Sequence, residues 1–269
     1  MSELPEEVVF LCGSDHRVRV LRALYNNAYD RRELRSITGA SQPTVSRTLS
    51  EFEARYWIQR DGHEYRLTEL GTRVAEKLTT FLDDMVTTQQ LQDIWPWLPH
   101  EIDDFSIELF SDVIVSQPGS AYPYQPVERF TRLLTDTASM KGFGMAIVKS
   151  ANLTPFYDQL LSGMECEYIY PPAVFEDLLS WNREVVLDAL DRGNYSVYLH
   201  DDLPVQERCG ICLLDNRTSI CCYDPATRTL QSIVDTGSED MHEWAESYYR
   251  QLRADARPID ECHELISIS

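Results

Sequence analysis

Apolar positions in the first eighty residues recur at three- and four-residue intervals, give way to strict alternation near residue 60, then return to helical spacing. Val18, Leu21, Leu24 and Tyr25 share one side of a helix that the pattern predicts from an N-cap at Ser14 to about Asn26. Asp30 with Glu33 three residues later predicts a capping box. Leu34 and Ile37 supply the next helix with an i, i+3 apolar pair, and Gly39 is placed to end it. Ser41 caps a third helix, whose first turn tolerates Pro43 because the N–H groups there lack helical partners. Val45, Leu49, Phe52 and Tyr56 fall on one side of it, so this helix is expected to run from Ser41 to Tyr56. Trp57-Ile58-Gln59-Arg60 and Glu64-Tyr65-Arg66-Leu67 alternate around Asp61-Gly62-His63, which predicts a β-hairpin. Thr68 caps a fourth helix from Glu69 to about Met85, where Leu70, Val74, Leu78 and Leu82 form an i+4 stripe suited to dimerisation.

Beyond it the pattern changes character. Residues 87–127 hold Trp95-Pro96-Trp97-Leu98-Pro99 and Gln117-Pro118-Gly119-Ser120, and are read as a connector of short helices and turns. Helical and strand-like segments then alternate. Helices are expected near 126–139, 153–162 and 173–191, with strands at Phe143 to Val148, Cys166 to Tyr170 and Tyr195 to His200, implying parallel βαβ units. Three closely spaced strands near 207–214, 217–223 and 229–234 add an antiparallel extension. A last helix, 238–256, carries Met241, Trp244, Tyr248 and Leu252 on one side. The expected class is α+β: a winged helix-turn-helix in residues 1–86, the connector, and an α/β domain with a mixed sheet in 128–269.

Charge sharpens the picture. The formal net charge is −20, which by itself opposes binding to a phosphate backbone. Yet residues 1–80 hold twelve basic and twelve acidic residues, so the remaining twelve and thirty-two place the whole excess later in the chain. A neutral first domain carried by an acidic second one is compatible with a DNA-facing first domain. The polar side of the third helix presents Pro43, Arg47 and Ser50, flanked by Gln42, Thr44 and Ser46, groups that reach base edges and phosphates when a helix end enters the major groove. Arg31, Arg32 and Arg35 before it, and Arg60, His63 and Arg66 on the hairpin, are expected against the DNA backbone or minor groove. Only three of twenty-four basic residues are lysine, and this excess of acid and arginine suggests a halophile's solvation strategy. The acidic N-terminus does not read as a secretory signal, and no stretch of ~18 apolar residues spans a bilayer, so a cytoplasmic protein away from membranes is expected.

Ser41-Gln42-Pro43-Thr44-Val45-Ser46-Arg47, the Tyr56-Trp57-Ile58 entry to the hairpin and Tyr65-Arg66-Leu67-Thr68-Glu69-Leu70-Gly71 leaving it resemble the winged helix-turn-helix regulators of archaea and bacteria. Tyr56 stands where such proteins often carry glycine. Pro123-Tyr124, Leu161-Ser162-Gly163, His200-Asp201-Asp202-Leu203-Pro204, Tyr223-Asp224 and Glu243-Trp244-Ala245-Glu246 resemble the effector half of archaeal regulators related to methanogenesis-regulatory and TrmB-like, sugar-responsive factors. The resemblance implies double-stranded DNA as partner, a homodimer and a small-molecule effector.

In open α/β sheets ligands bind beyond the C-terminal ends of parallel strands, which singles out Lys149, Ser150, Tyr170, His200 and Asp201. Two other readings stand beside this one. The winged domain would dock proteins of the transcription machinery, or Cys209, Cys212, Cys221 and Cys222 would form a zinc or thiol sensor. An i, i+3 pair on a regular strand points to opposite faces, which opposes zinc. No P-loop, dinucleotide fingerprint, HExxH or nucleophile elbow occurs, so neither a cofactor nor an enzymatic activity is expected.

Overall fold

The capping box at Asp30 forms. Its carboxylate accepts from the N–H groups of Arg32 and Glu33 at 2.7 and 2.8 Å, and Glu33 returns a bond to the Asp30 N–H at 2.8 Å. The computed structural model describes residues 5–144, 153–203, 208–227 and 229–261, and divides into two units, Met1–Val86 and Thr87–Ser269.

The first unit contains helices α1 (Glu6–Cys12), α2 (Asp15–Asn26), α3 (Arg31–Thr38) and α4 (Gln42–Ala54), and the start of α5 (Glu69–Leu91). Its small sheet sets β1 (Tyr29–Asp30) beside β3 (Glu64–Leu67), which pairs with β2 (Ile58–Asp61) in the order β1-β3-β2. Leu21, Leu34, Val45, Leu49, Phe52 and Tyr65 fill the core, each large apolar side chain contributing about 1.5–3 kcal/mol of burial. Arg17 and Arg55 lie over the Phe10 ring, at 3.9 and 3.6 Å from its centre, and tie α1 to α2 and to the end of α4. Gly71 admits no side chain: a Cβ there would lie 1.8 Å from the Trp57 carbonyl oxygen, so the first turn of α5 packs directly on the entry to β2.

The helical pattern overreached at its edges. Tyr25, Ile37 and Leu70 are exposed, whereas Val20, Thr38, Thr48 and Ala75 are buried. Thr38 takes the inner position because its hydroxyl donates to the Leu34 carbonyl at 2.6 Å and accepts from the Ala40 N–H, leaving Ile37 outside. The larger correction is Tyr56. Helix α4 ends at Ala54, and Tyr56, 75% exposed, adopts φ 58°, so Trp57 instead of Tyr56 enters the core. The chain reverses there in the left-handed region that a side chain disfavours. Tyr56→Gly is therefore expected to stabilise the unit by up to about 1 kcal/mol, since the left-handed penalty is removed and almost no packing is lost. Thermal unfolding checks this; an unchanged or lower midpoint contradicts it.

The second unit is built on an eight-stranded sheet with the order β11-β7-β6-β5-β8-β9-β10-β4. Its strands are β4 (Ile114–Ser116), β5 (Ser139–Gly144), β6 (Glu165–Tyr170), β7 (Tyr195–Leu199), β8 (Cys209–Leu214), β9 (Thr218–Tyr223), β10 (Leu230–Thr236) and β11 (Arg257–Pro258). The β5-β6 and β6-β7 pairs are parallel and the others antiparallel, so the mixed sheet is as expected. Helices α6 (Gln125–Thr135), α7 (Leu153–Leu161) and α8 (Pro172–Asp191) cover one face, and α9 (Glu239–Asp255) with residues 91–113 covers the other, so an apolar layer lies on each side. Asn182 breaks α8 with a non-helical backbone.

Two expectations change here. The segment read as a mere connector supplies β4, which pairs with β10, and its Leu98, Phe105 and Phe110 enter the core. The strand expected to begin at Phe143 begins at Ser139, because β5 is held on both sides, by β6 and β8. The rest of that expected strand, residues 145–148, lies outside the described residues.

Candidate nucleic-acid interface

Helix α4 is positioned by its own cap. The Ser41 hydroxyl accepts from the Thr44 N–H at 3.3 Å, Pro43 occupies the first turn, and Gly39, at φ 67°, provides the left-handed stop that ends α3. Val45, Leu49 and Phe52 anchor the inner side, leaving Gln42, Pro43, Arg47 and Ser50 exposed and Ser46 half-buried at its edge. Thr44 is also half-buried, and its hydroxyl lies 2.8 Å from that of Ser41. It therefore serves the cap before it serves any ligand. Ser41 and Thr44 thus form one local unit, with Gln42, Arg47 and Ser50 as the outward-facing donors.

The arginines divide into two kinds. Arg32, Arg35 and Arg47 are exposed and make no ion pair among the described residues. Arg31 lies 5.6 Å from the Tyr65 ring centre, a cation–π distance that sets it beside the hairpin. On the hairpin, Arg60 donates from Nε to the Gly62 carbonyl at 2.9 Å and stiffens the turn, and Arg66 pairs with Asp61. His63 is exposed at the tip. Gln59 pairs in register with Arg66 and is exposed beside it, although the sequence reading left it out. Its strand is buried at Ile58 and exposed from Gln59 to Asp61, so the alternation expected there does not hold.

The expected effector residues behave differently. Lys149 and Ser150 lie outside the described residues. Tyr170 is buried, stacks on Tyr168 and places its hydroxyl 2.9 Å from that of Tyr195; burial raises its phenol well above the ordinary range. His200 accepts from the Asp202 N–H at 3.1 Å, and Asp201 accepts from Arg257 at 2.9 and 3.1 Å. Tyr170 and Asp201 are thus held by partners within the unit.

The four cysteines do not converge. Cys212 and Cys221 lie in the core beneath α6–α8, while Cys209 and Cys222 lie in the core beneath α9. Among the described residues no group of three or more metal-ligating side chains forms. Hydrogen bonding to Cys221 and then burial raise the Cys212 thiol, and bonding to Cys209 and then burial raise Cys222. Protonated thiols of this kind are weak nucleophiles. They fill the sheet's two faces as small apolar residues.

Comparison with known proteins agrees with this two-part architecture. Residues 5–90 match the family model of the HVO_A0261 N-terminal domain, and residues 123–255 match that of the middle domain of the methanogenesis regulatory protein FilR1. The methanogenesis regulatory protein FilR1 of Methanothrix harundinacea is 22% identical over 188 residues, which cover 66% of this chain and 41% of that protein. The chain thus spans about two fifths of the curated relative's length. Among solved structures, the archaeal chromatin protein TrmBL2 aligns with 90% of this chain and 93% of its own at TM-score 0.44 and 13% identity. A MarR-family transcriptional regulator from Silicibacter pomeroyi covers 31% of this chain and 65% of its own, at TM-score 0.28 and 24% identity. The phospholipase D family member Nuc from Salmonella typhimurium covers 55% of this chain and 97% of its own, at TM-score 0.40 and 10% identity. Among the described residues no helix is long and apolar enough to cross a membrane. Residues 5–90 are thus similar to the HVO_A0261 N-terminal domain and residues 123–255 to the FilR1 middle domain, and the second match agrees with the resemblance to methanogenesis-regulatory factors read from the sequence.

Proposed function

We propose that the protein is a DNA-binding transcription regulator whose α4 enters the major groove and whose second unit receives a signal. The observation that carries the reading is the outer side of α3 and α4, where Arg32, Arg35, Arg47, Gln42 and Ser50 stand exposed beside an arginine-bearing hairpin. Arg31, Arg32, Arg35, Arg60, His63 and Arg66 serve the backbone or minor groove in this reading, and Gln42, Ser46, Arg47 and Ser50 serve base edges. Neutralising phosphates releases counterions, so affinity for duplex DNA is expected to fall linearly on a log–log salt plot, with a slope steeper than about −3. Fluorescence anisotropy with the full chain tests this. Salt-independent binding, or none, would support the rival in which the winged domain docks proteins.

A homodimer completes the reading. A cavity of about 550 Å³ opens in the first unit, lined by Val8, Leu11, Trp57, Val74, Leu78 and Phe81. Phe81, Met85 and Val86 remain exposed on α5 and Val8 and Val9 on α1, with Val8 and Phe81 both lining the cavity, and exposed apolar surface of this kind marks an association site. Phe81→Glu is expected to shift the chain from dimer to monomer in sedimentation experiments while preserving its circular dichroism. A dimer of unaltered strength would remove α5 from the interface.

A further inference from the structure

The acidic half of the chain gathers three of its twelve basic residues around one small cavity of about 180 Å³, lined by Arg129, Arg132 and Arg217 with Asn216, Asp136 and Thr137. Two of these arginines share a charged anchor. Asp235 is fully buried and accepts from Arg129 Nε at 2.7 Å and Nη2 at 2.6 Å, and from Arg217 Nε. One carboxylate therefore holds two guanidiniums. Arg217 is fixed at its remaining nitrogens, by the Asp112 carboxylate at 2.7 Å and the carbonyls of Asp112 and Asp235 at 3.2 and 3.0 Å. Arg129 keeps Nη1 without a partner among the described residues. Arg132, three residues further along α6, shares its side of the helix, is exposed and makes no ion pair among the described residues.

We propose that this cavity binds a small phosphate-bearing anion, either inorganic phosphate or a phosphorylated fragment of two or three carbons. Arg129 offers the N–H bonds of Nη1 alone, since Nε and Nη2 serve Asp235, while Arg132 keeps its whole guanidinium, whose paired N–H bonds suit a tetrahedral oxyanion. Asn216 adds a neutral polar group from the turn after β8. Asp235 and Asp112 hold Arg129 and Arg217 before any ligand arrives, so little side-chain order remains to be lost at these two on binding. The volume admits a phosphate with a short carbon tail. Asp136 favours an oxyanion that retains a proton, hence phosphate over sulfate. The cavity is lined by none of Tyr170, His200 and Asp201, and its test requires no DNA, so it stands or falls independently of the regulator reading.

The experiment is calorimetric titration of the full chain with sodium phosphate, against sodium sulfate and sodium chloride at matched ionic strength. Saturable binding of phosphate is expected, with sulfate weaker. Arg132→Gln should weaken it about tenfold, the loss of one charge-assisted contact, and leave the phosphate-free unfolding temperature in place. Lys141→Gln, outside the cavity, should leave phosphate affinity unchanged. No phosphate-specific heat, or equal affinity in Arg132→Gln, would overturn the proposal.

Discussion

Replacing Arg47 by alanine is expected to weaken binding to a preferred duplex roughly 10- to 100-fold, the 1–3 kcal/mol that one well-placed contact to a base contributes. The effect should be largest on the preferred sequence and smaller on random DNA, because Arg47 sits on the face of α4 that would meet base edges. Arg32→Ala makes the useful contrast. As a phosphate contact it should weaken all sequences alike and reduce the salt slope by about one. Neither change should disturb folding, since both side chains are exposed and make no ion pair among the described residues. Gel-shift affinities on a sequence selected by binding, set beside thermal melts, check both. An Arg47→Ala chain that binds the selected sequence as tightly as the parent would exclude α4 as the reading helix.

Removing the Asp235 carboxylate with Asp235→Ala is expected to destabilise the second unit by about 3–5 kcal/mol. A buried charge left without its partner costs that much, and here both Arg129 and Arg217 lose their shared acceptor. Arg217 retains Asp112, so the damage should centre on Arg129 and loosen α6 where it packs on β10. In a unit of this size the midpoint should fall by roughly 6–20 °C. Scanning calorimetry reads it directly. A loss below about 1 kcal/mol would show that the two guanidiniums are adequately solvated without the carboxylate.

The legible parts of this fold were those whose causes are close in sequence. Asp30 and Glu33 are three residues apart, and their reciprocal bonds formed as predicted. Ser41, Pro43 and the Val45–Leu49–Phe52 stripe likewise specify a helix start and an inner face within thirteen residues, and knowing the inner face locates the outer one. Most of the candidate interface was therefore readable from amphipathic spacing alone. The hydroxyl contact between Ser41 and Thr44 and the pairing of Arg66 with Asp61 were not, because both depend on side-chain conformations that spacing leaves open.

What the pattern missed has distant causes. The three residues of β4 carry no periodic signal, and their partner strand, β10, lies more than a hundred positions later. Ser139 to Gly144 includes two glycines and a serine, a poor strand by composition, and is a strand because neighbours on both sides complete its hydrogen bonds. Tyr56 continued the apolar stripe in projection, but the chain had already turned, and only the left-handed backbone reveals it. The pair between Arg129 and Asp235 joins residues 106 apart and has no local signature.

The central claim, that the outward side of α4 and the hairpin tip meet DNA, is most directly tested by photocrosslinking. A photoreactive amino acid would replace Gln42 or His63 in separate chains, with a third chain carrying it in place of Trp181 on α8. Irradiation with labelled duplex should yield covalent protein–DNA adducts from positions 42 and 63 and none from 181. Adducts absent from both winged-domain positions while the duplex remains bound, or formed equally at 181, would contradict the account.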